Sequence, residues 1–426
     1  MYSHWIGILL FLASYFVFAY GHVPGTKIDR PGMAVIGATL MLVFGVVSPA
    51  AAVRSIDFST LVLLFAMMII IASLHLARFF EWLTLHIVRR LPARYLLPAV
   101  IFIGGLLSAF LVNDVVCVFM TPLVIGIAKK MRCSVLPYLL ALATASNIGS
   151  AATITGNPQN MLIGSVSHIG YLDFLIHLGP VAIAGLLIDW ALLSLLCAND
   201  LKVVTEPAEL PASYASELTP LPVGADVASN IAIYGKPSSS VWKPMVVTLL
   251  VLIGFLVGWQ PALVAATGAA MLLIDWKVDP KQLYGEVDWG LLLFFAGLFV
   301  ILAGAEAAGI TQKLLAVAVH MNLRNSLIFT GLVSLLSNIV SNVPAVMLLL
   351  PMMSRMRNPH TAWLLLSMAS TLAGNLTITG SIANIIVVEK ARADVHISFA
   401  KYLKIGVPVT VLTLLVGLAW LKVVRY

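Results

Sequence analysis

An all-α polytopic membrane protein is the fold class this sequence predicts: two inverted-topology repeats with about ten transmembrane helices, two re-entrant hairpins and two discontinuous helices. Three observations predict it: hydropathy, an internal duplication and the placement of basic residues. Of 426 residues, 61% are hydrophobic and 10% charged, with a mean hydropathy of +1.02, whereas a soluble domain is about one-quarter charged. At about 20 apolar residues per crossing the chain has room for many spans, and the one long polar interruption is 205–240. The net charge of +7 then reads as basic loops facing cytoplasm and anionic lipid, not as a nucleic-acid surface. Cys117, Cys133 and Cys197 are too few and too dispersed for a disulfide framework or a metal site. No basic region precedes the apolar run at 6–20, so a retained first helix is expected rather than a signal peptide.

The duplication organises the rest. Pro31, Gly37 and Asp57 recur as Pro261, Gly268 and Asp288, and Asn113 and Pro122 recur at one common spacing as Asn342 and Pro351. Thr153-Ile154-Thr155-Gly156 is repeated letter for letter as Thr377-Ile378-Thr379-Gly380, and Asn160 follows the first as Asn384 follows the second. The chain therefore divides into a first repeat, 1–200, a cytoplasmic linker, 201–241, and a second repeat, 242–426.

Each repeat opens with three apolar runs, 2–20, 33–47 and 58–77 in the first, 242–259, 261–274 and 289–307 in the second. A fourth run follows, with 34 residues between Arg94 and Lys129 and 30 between Arg324 and Arg355. Two full crossings and a turn need more than about 40 residues, so 94–130 and 325–356 are expected to be re-entrant hairpins with Asn113 and Asn342 near their tips. Next come 136–165 and 361–389, apolar but interrupted by Ser146-Asn147-Ile148-Gly149-Ser150 and by Ala373-Gly374-Asn375-Leu376-Thr377. These read as discontinuous helices, tolerable at membrane depth only where protein or a cavity surrounds the freed backbone. A closing helix, 174–198 or 402–424, gives each repeat an odd number of crossings, so the second copy inserts upside down. The stretch from Arg78 to Arg90 mixes aromatics with arginines as a surface-lying helix does.

Charge placement agrees with that topology. With the loops of Lys27, Arg78–94, Lys129, the linker, Lys277 and Lys390 inside, 18 of the 25 basic residues are cytoplasmic. Both termini then face away from the cytoplasm, in a multi-pass protein of the cell inner (plasma) membrane.

Broken helices expose N–H groups on one half and carbonyls on the other. Two breaks facing two tips make a polar pocket whose expected lining is Asn113, Asn147, Ser150, Thr153, Asn342, Gly374, Asn375 and Thr377. Such a pocket suits a polyhydroxylated or oxyanionic solute, or a cation held by carbonyl oxygens. Taken singly, any of these residues can instead be interhelical glue worth about 0.6 kcal/mol. Asp114 is an intramembrane carboxyl and by default a functional candidate, with helix capping as the rival reading. Asp189 and Glu306 also lie in apolar runs, and helix-to-helix bonding or proximity to an end accounts for them equally well. Cys117, near Asp114, reads as a small apolar filler.

These motifs resemble the ion transporter superfamily, which holds arsenite and antimonite efflux proteins, sodium/proton antiporters, the melanosomal P protein and dicarboxylate/sodium symporters. The carriers are Asn113-Asp114 with Thr121-Pro122, the stretch from Asn147 through Asn160, Asn342-Val343-Pro344, and Gly374-Asn375 through Asn384. The Asn-Asp tip paired with an Asn-x-Pro tip resembles the arsenite/antimonite efflux membrane protein family more than the dicarboxylate symporters, whose tips usually read Ser-Asn-Thr. The broken helices are closer to the P-protein-like branch. The resemblance implies a secondary transporter exporting arsenite or antimonite by alternating access, with hydrogen bonds from Asn113, Asn342 and Asn375 to metalloid hydroxyls and with Asp114 as the proton-coupling group. The alternative it leaves open is a sodium/proton antiporter or a sodium-coupled anion symporter, with carbonyls at Gly149 and Gly374 holding the ion. It also implies a homodimer through the first three helices of each repeat, and leaves open a cytoplasmic ATPase subunit. No cofactor, bound metal or nucleic-acid partner is expected. An enzyme is disfavoured because the chain has neither a His-Glu-x-x-His helix nor a Gly-x-Ser-x-Gly turn.

Overall fold

The computed structural model describes residues 2–23, 25–80, 82–83, 92–201, 241–274, 278–312, 323, 325–353 and 356–424. Among them are eighteen α-helices and no strand, which makes the protein an all-α polytopic membrane protein. The first half contains α1 (Tyr2–Tyr20), α2 (Arg30–Val43), α3 (Pro49–Ser55), α4 (Phe58–Leu76), α5 (Leu96–Phe110), α6 (Asn113–Lys130), α7 (Val135–Ser150), α8 (Pro158–Ser167) and α9 (Tyr171–Leu196). The second runs through the same order: α10 (Trp242–Val257), α11 (Pro261–Leu273), α12 (Pro280–Gly285), α13 (Trp289–Ala307), α14 (Ser326–Val340), α15 (Asn342–Met353), α16 (Pro359–Leu372), α17 (Ile382–Ala391) and α18 (Phe399–Val423). Four of these, α4, α9, α13 and α18, are each long and apolar enough to cross a membrane.

Local chemistry explains the boundaries. Asp57 and Asp288 occupy the same N-cap in the two halves, accepting from Ser59 N and from Leu291 N respectively. Three expected apolar runs per repeat prove to be accompanied by a short extra helix, α3 or α12. Its signal is a cap followed by proline, Ser48-Pro49 and Asp279-Pro280, each with a side-chain bond to a first-turn amide. The linker expected at 201–241 lies outside the described residues except for its two end residues, as does most of the surface helix expected from Arg78 to Arg90.

The discontinuous segments differ in one detail from the reading above. In the first half the chain stays helical through Ser150 and breaks at 151–157, one turn later than the polar cluster at 146–150. Asn147 and Ser150 bond within or across the helix without unwinding it, and the restart is set by Asn157, whose side chain caps α8 at Asn160 N ahead of Pro158. In the second half the break starts at Ala373, as expected, and runs on to Ser381, four residues beyond the expected Thr377. Both breaks share one backbone shape: Thr153 stands at φ −136, ψ 163 and Thr377 at φ −135, ψ 162, each followed by an Ile-Thr-Gly 3-10 turn.

Packing between the halves is reciprocal. Helix α2 lies against α13 while α4 lies against α11, and α6 packs on α17 while α15 packs on α8. Successive close approaches of Ala34 to Gly297 and Met41 to Gly304 show that α2 and α13 run parallel. Helices α5 and α7 approach most tightly, because a Cβ on Gly149 would stand 2.0 Å from Gly105 O.

Candidate functional site

Six helices aim their N-termini at one cavity of about 270 Å³. Every lining residue except Phe294 belongs to the cap or first turn of α2, α6, α8, α13, α15 or α17. Helix starts carry positive partial charge and free N–H groups, and Arg30 adds a guanidinium whose Nε donates to Phe18 O at 2.9 Å. Three carboxylates oppose them: Asp29, Asp114 and Asp288. Asp29 and Asp288 cap α2 and α13 and are exposed, so the cavity opens between the starts of those two helices. Asp114, half-buried, lies near the Ala383 N–H at the start of α17 and across the cavity from Asp288. The helix start it approaches thus belongs to the other half.

Behind the cavity lies a buried amide network centred on Asn147. Its Oδ1 accepts from Asn113 Nδ2 (3.0 Å) and from Ser381 Oγ (2.9 Å), while its Nδ2 donates to Asn375 Oδ1 (2.8 Å) and Asn384 Oδ1 (3.0 Å). The orientation of every amide here follows from fixed backbone acceptors. Asn375 Nδ2 donates to Thr144 O (3.0 Å) and Asn384 Nδ2 to Gly374 O (2.7 Å), so both present oxygens to Asn147 Nδ2. Asn147 must then present its own oxygen to Asn113 Nδ2. What remains is Asn113 Oδ1, itself buried and with no hydrogen-bond partner among the described residues, in a cavity-lining residue that is only 3% exposed.

Of the residues singled out from sequence, Asn113, Asp114 and Asn342 line the cavity. With its amide nitrogen turned toward the carbonyls, Asn342 donates to Ser370 O (3.1 Å) and Gly380 O (3.2 Å). Asn147 and Asn375 lie behind that lining, and Ser150 Oγ donates to Asn147 O at 2.9 Å. Thr153 Oγ1 donates to Ala109 O, tying the first break to the hairpin tip. Thr377 Oγ1 donates to Asn338 Oδ1 at 3.1 Å, and Gly374 contributes the carbonyl that Asn384 holds.

Sequence reasoning missed the partners of these groups. Asn160 and Asn384 play one role twice: Asn160 Nδ2 donates to Ser150 O (3.1 Å) and Thr153 O (2.9 Å), and Asn384 Nδ2 to Gly374 O and Thr377 O (3.1 Å). These carbonyls are the ones a break sets free, and lipid offers them nothing. The repeated Asn after the repeated tetrapeptide was the available signal. Gln159, Ser381, Asp29, Arg30 and Asp288 also line the cavity; Gln159 and Ser381 fall within the stretches that carry the family resemblance and Asp288 was a repeat landmark, but none of the five was named as a site residue. Ser341, the tip residue before Asn342, adopts φ 76, ψ 161, a region almost reserved for glycine and costing about 1–3 kcal/mol.

The family model described as citrate transporter (CitMHS) matches residues 9–362. A provisionally named transporter arsB of Dictyostelium discoideum is 29% identical over 96% of this chain and 89% of its own. The silicon efflux transporter LSI3 of Oryza sativa subsp. japonica is 30% identical over 97% of this chain and 96% of its own. Among solved structures, the chain resembles Neisseria gonorrhoeae MtrF, from a class described as antimetabolite efflux pumps, with a TM-score of 0.57 at 12% identity, covering 99% of this chain and 94% of that one. That likeness is one of fold.

Proposed function

The chain belongs to the citrate transporter (CitMHS) family and is a membrane transporter rather than an enzyme; from that premise we propose that it exports small neutral metalloid hydroxides, arsenite and antimonite, across the cytoplasmic membrane by alternating access. The observation that carries this reading is Asn113, a cavity-lining residue whose buried Oδ1 has no partner among the described residues. A buried acceptor left unpaired costs about 1–3 kcal/mol, which a solute O–H brought to it would recover. Arsenous and antimonous acids offer three. Silicon, the cargo in the name of the rice relative, likewise forms a neutral hydroxide.

Charge supports the same class. Six helix N-termini at about half a charge each and one guanidinium exceed three carboxylates by about one charge, too little to balance a multiply charged anion. Topology supports access from the cytoplasm in this conformation. The cavity mouth lies beside the loops of Lys27 and Lys281, assigned to the cytoplasm from charge placement, so this conformation loads from inside. Loops assigned to that same side also touch, as Lys129 pairs with Asp394. The parallel course of α2 and α13 fits opposite insertion of the two repeats, because α13 is the counterpart of α4. Asp114, on the cavity wall with Asp288 opposite, is the proton-coupling group in this proposal.

A sodium-coupled carrier is the second reading, since an amide carbonyl such as Asn113 Oδ1 also ligates Na⁺ and N-terminal helix ends favour an anion beside it. Everted vesicles separate the two. Arsenite accumulation that Asn113→Ala abolishes, driven by a proton gradient without sodium, is the expected result. Sodium-driven proton or anion flux with no arsenite movement would overturn the metalloid assignment. Asp114→Asn is expected to lose gradient dependence while still binding solute, and full gradient dependence in that variant would remove Asp114 from the coupling step.

A further inference from the structure

Away from the cavity, the first two turns of α9 and the first turn of α16 bring Asp173, His177 and His360 together. His177 Nδ1 stands 2.9 Å from Asp173 Oδ1, and His360 Nε2 stands 2.8 Å from Asp173 Oδ2. The two imidazole centroids are 5.2 Å apart, and one donor atom from each of the three residues lies within 4.8 Å of the others. Helix α8 carries the chain about 15 Å from Pro158, on the cavity, toward this end, so the cluster is separate from the site described above. His177 is buried, whereas the side chains of Asp173 and His360 are 44% and 37% exposed, which leaves an entry path from solvent.

We propose that Asp173, His177 and His360 form a binding site for a borderline divalent cation of the Zn²⁺ type. Two imidazoles and one carboxylate are a donor set that Zn²⁺ takes with a fourth position left to water, while Mg²⁺ and Ca²⁺ require oxygen-rich surroundings. With bonds of about 2.0–2.1 Å, a tetrahedral ion spaces its ligands by about 3.4 Å. The widest donor separation here must therefore close by roughly 1 Å or a little more, and the half-exposed His360 is free to turn by that amount. His177 Nδ1 also lies 2.8 Å from the Asp173 carbonyl, a contact that aims the ring and that coordination through Nδ1 replaces. The donors come from both halves of the chain, so a bound ion clamps α9 to α16, the helix that leads into the break at Gly374 and Asn375.

The test is calorimetric titration of ZnCl₂ into the full-length protein, stripped of metal and reconstituted in nanodiscs, together with thermal unfolding with and without Zn²⁺. One Zn²⁺ per chain is expected, with at least tenfold weaker binding in His360→Ala and in Asp173→Asn and no change in the exposed control His396→Ala. Zn²⁺ is expected to raise the unfolding midpoint of the wild type and not of His360→Ala, and Mg²⁺ to do neither. Should His360→Ala fail to fold, His360→Asn carries the same comparison. Wild-type protein that binds no stoichiometric Zn²⁺, or binds it as tightly as the His360 variant does, would overturn the proposal and leave the cluster a hydrogen-bonded clasp between the halves.

Discussion

At Asn147 all four hydrogen-bonding positions are taken by protein groups from three other segments. A truncation there strips partners from Asn113, Asn375, Asn384 and Ser381 at once, in a place water does not reach. Asn147→Ala is therefore expected to cost about 2–4 kcal/mol, since each buried group left unpaired costs about 1–3 kcal/mol and some relax. The check is a lower unfolding midpoint in nanodiscs that added solute does not restore. Asn113→Ala removes one donor to Asn147 Oδ1, which keeps Ser381 Oγ, and an acceptor that had no protein partner, so its stability loss is expected to be smaller and its transport loss larger. Ser341 offers the opposite experiment. Its backbone sits where glycine is at ease, and Ser341→Gly is expected to stabilise the fold by about 1 kcal/mol. An unchanged or lower midpoint would mean that the tip is not strained.

At the scale of elements, the breaks and the close approach of α5 to α7 govern the architecture. Gly149 has no room for a side chain, because its Cβ would meet the backbone of Gly105 and not a movable side chain. Small residues let membrane helices approach in this way. Gly149→Ala is expected to force α5 from α7 and to cut the yield of folded protein severely, while Gly126→Ala, with nothing within 4 Å of the new atom, leaves it unchanged. Comparable yields for the two variants would argue against the close helix contact. The breaks themselves depend on Asn160 and Asn384, which hold the carbonyls that the Ile-Thr-Gly turns release.

For the whole molecule, the central question is which side reaches the cavity. Leu291 lines the mouth beside the cap of α13, and the native Cys117, Cys133 and Cys197 are all buried. A Leu291→Cys protein is therefore expected to be inactivated by a membrane-impermeant thiol reagent applied from the cytoplasmic face, with solute slowing the reaction. Protection from that side and labelling from the other would reverse the orientation while leaving the cavity where it is. Reciprocal contacts between the halves, α2 with α13 and α4 with α11, mean that each half builds part of the other's surroundings.

Hydropathy, the repeated tetrapeptide and the paired Asn tips were enough, read from sequence, to specify an all-helical membrane protein with two matching halves and to single out Asn113, Asp114 and Asn342. Those signals are local: apolar run length sets what can enter lipid, and Asn, Pro and Gly mark where helices start and stop. The partners of each amide were not legible, because Asn147 meets Asn375 and Asn384 across more than half the chain. Nor could sequence tell that Asn147 is saturated while Asn113 Oδ1 finds no partner among the described residues, or that Asp114 lies near the start of α17. Hydrogen-bond satisfaction belongs to the folded arrangement as a whole, and only the tertiary structure decided which polar groups find protein partners and which are left without one.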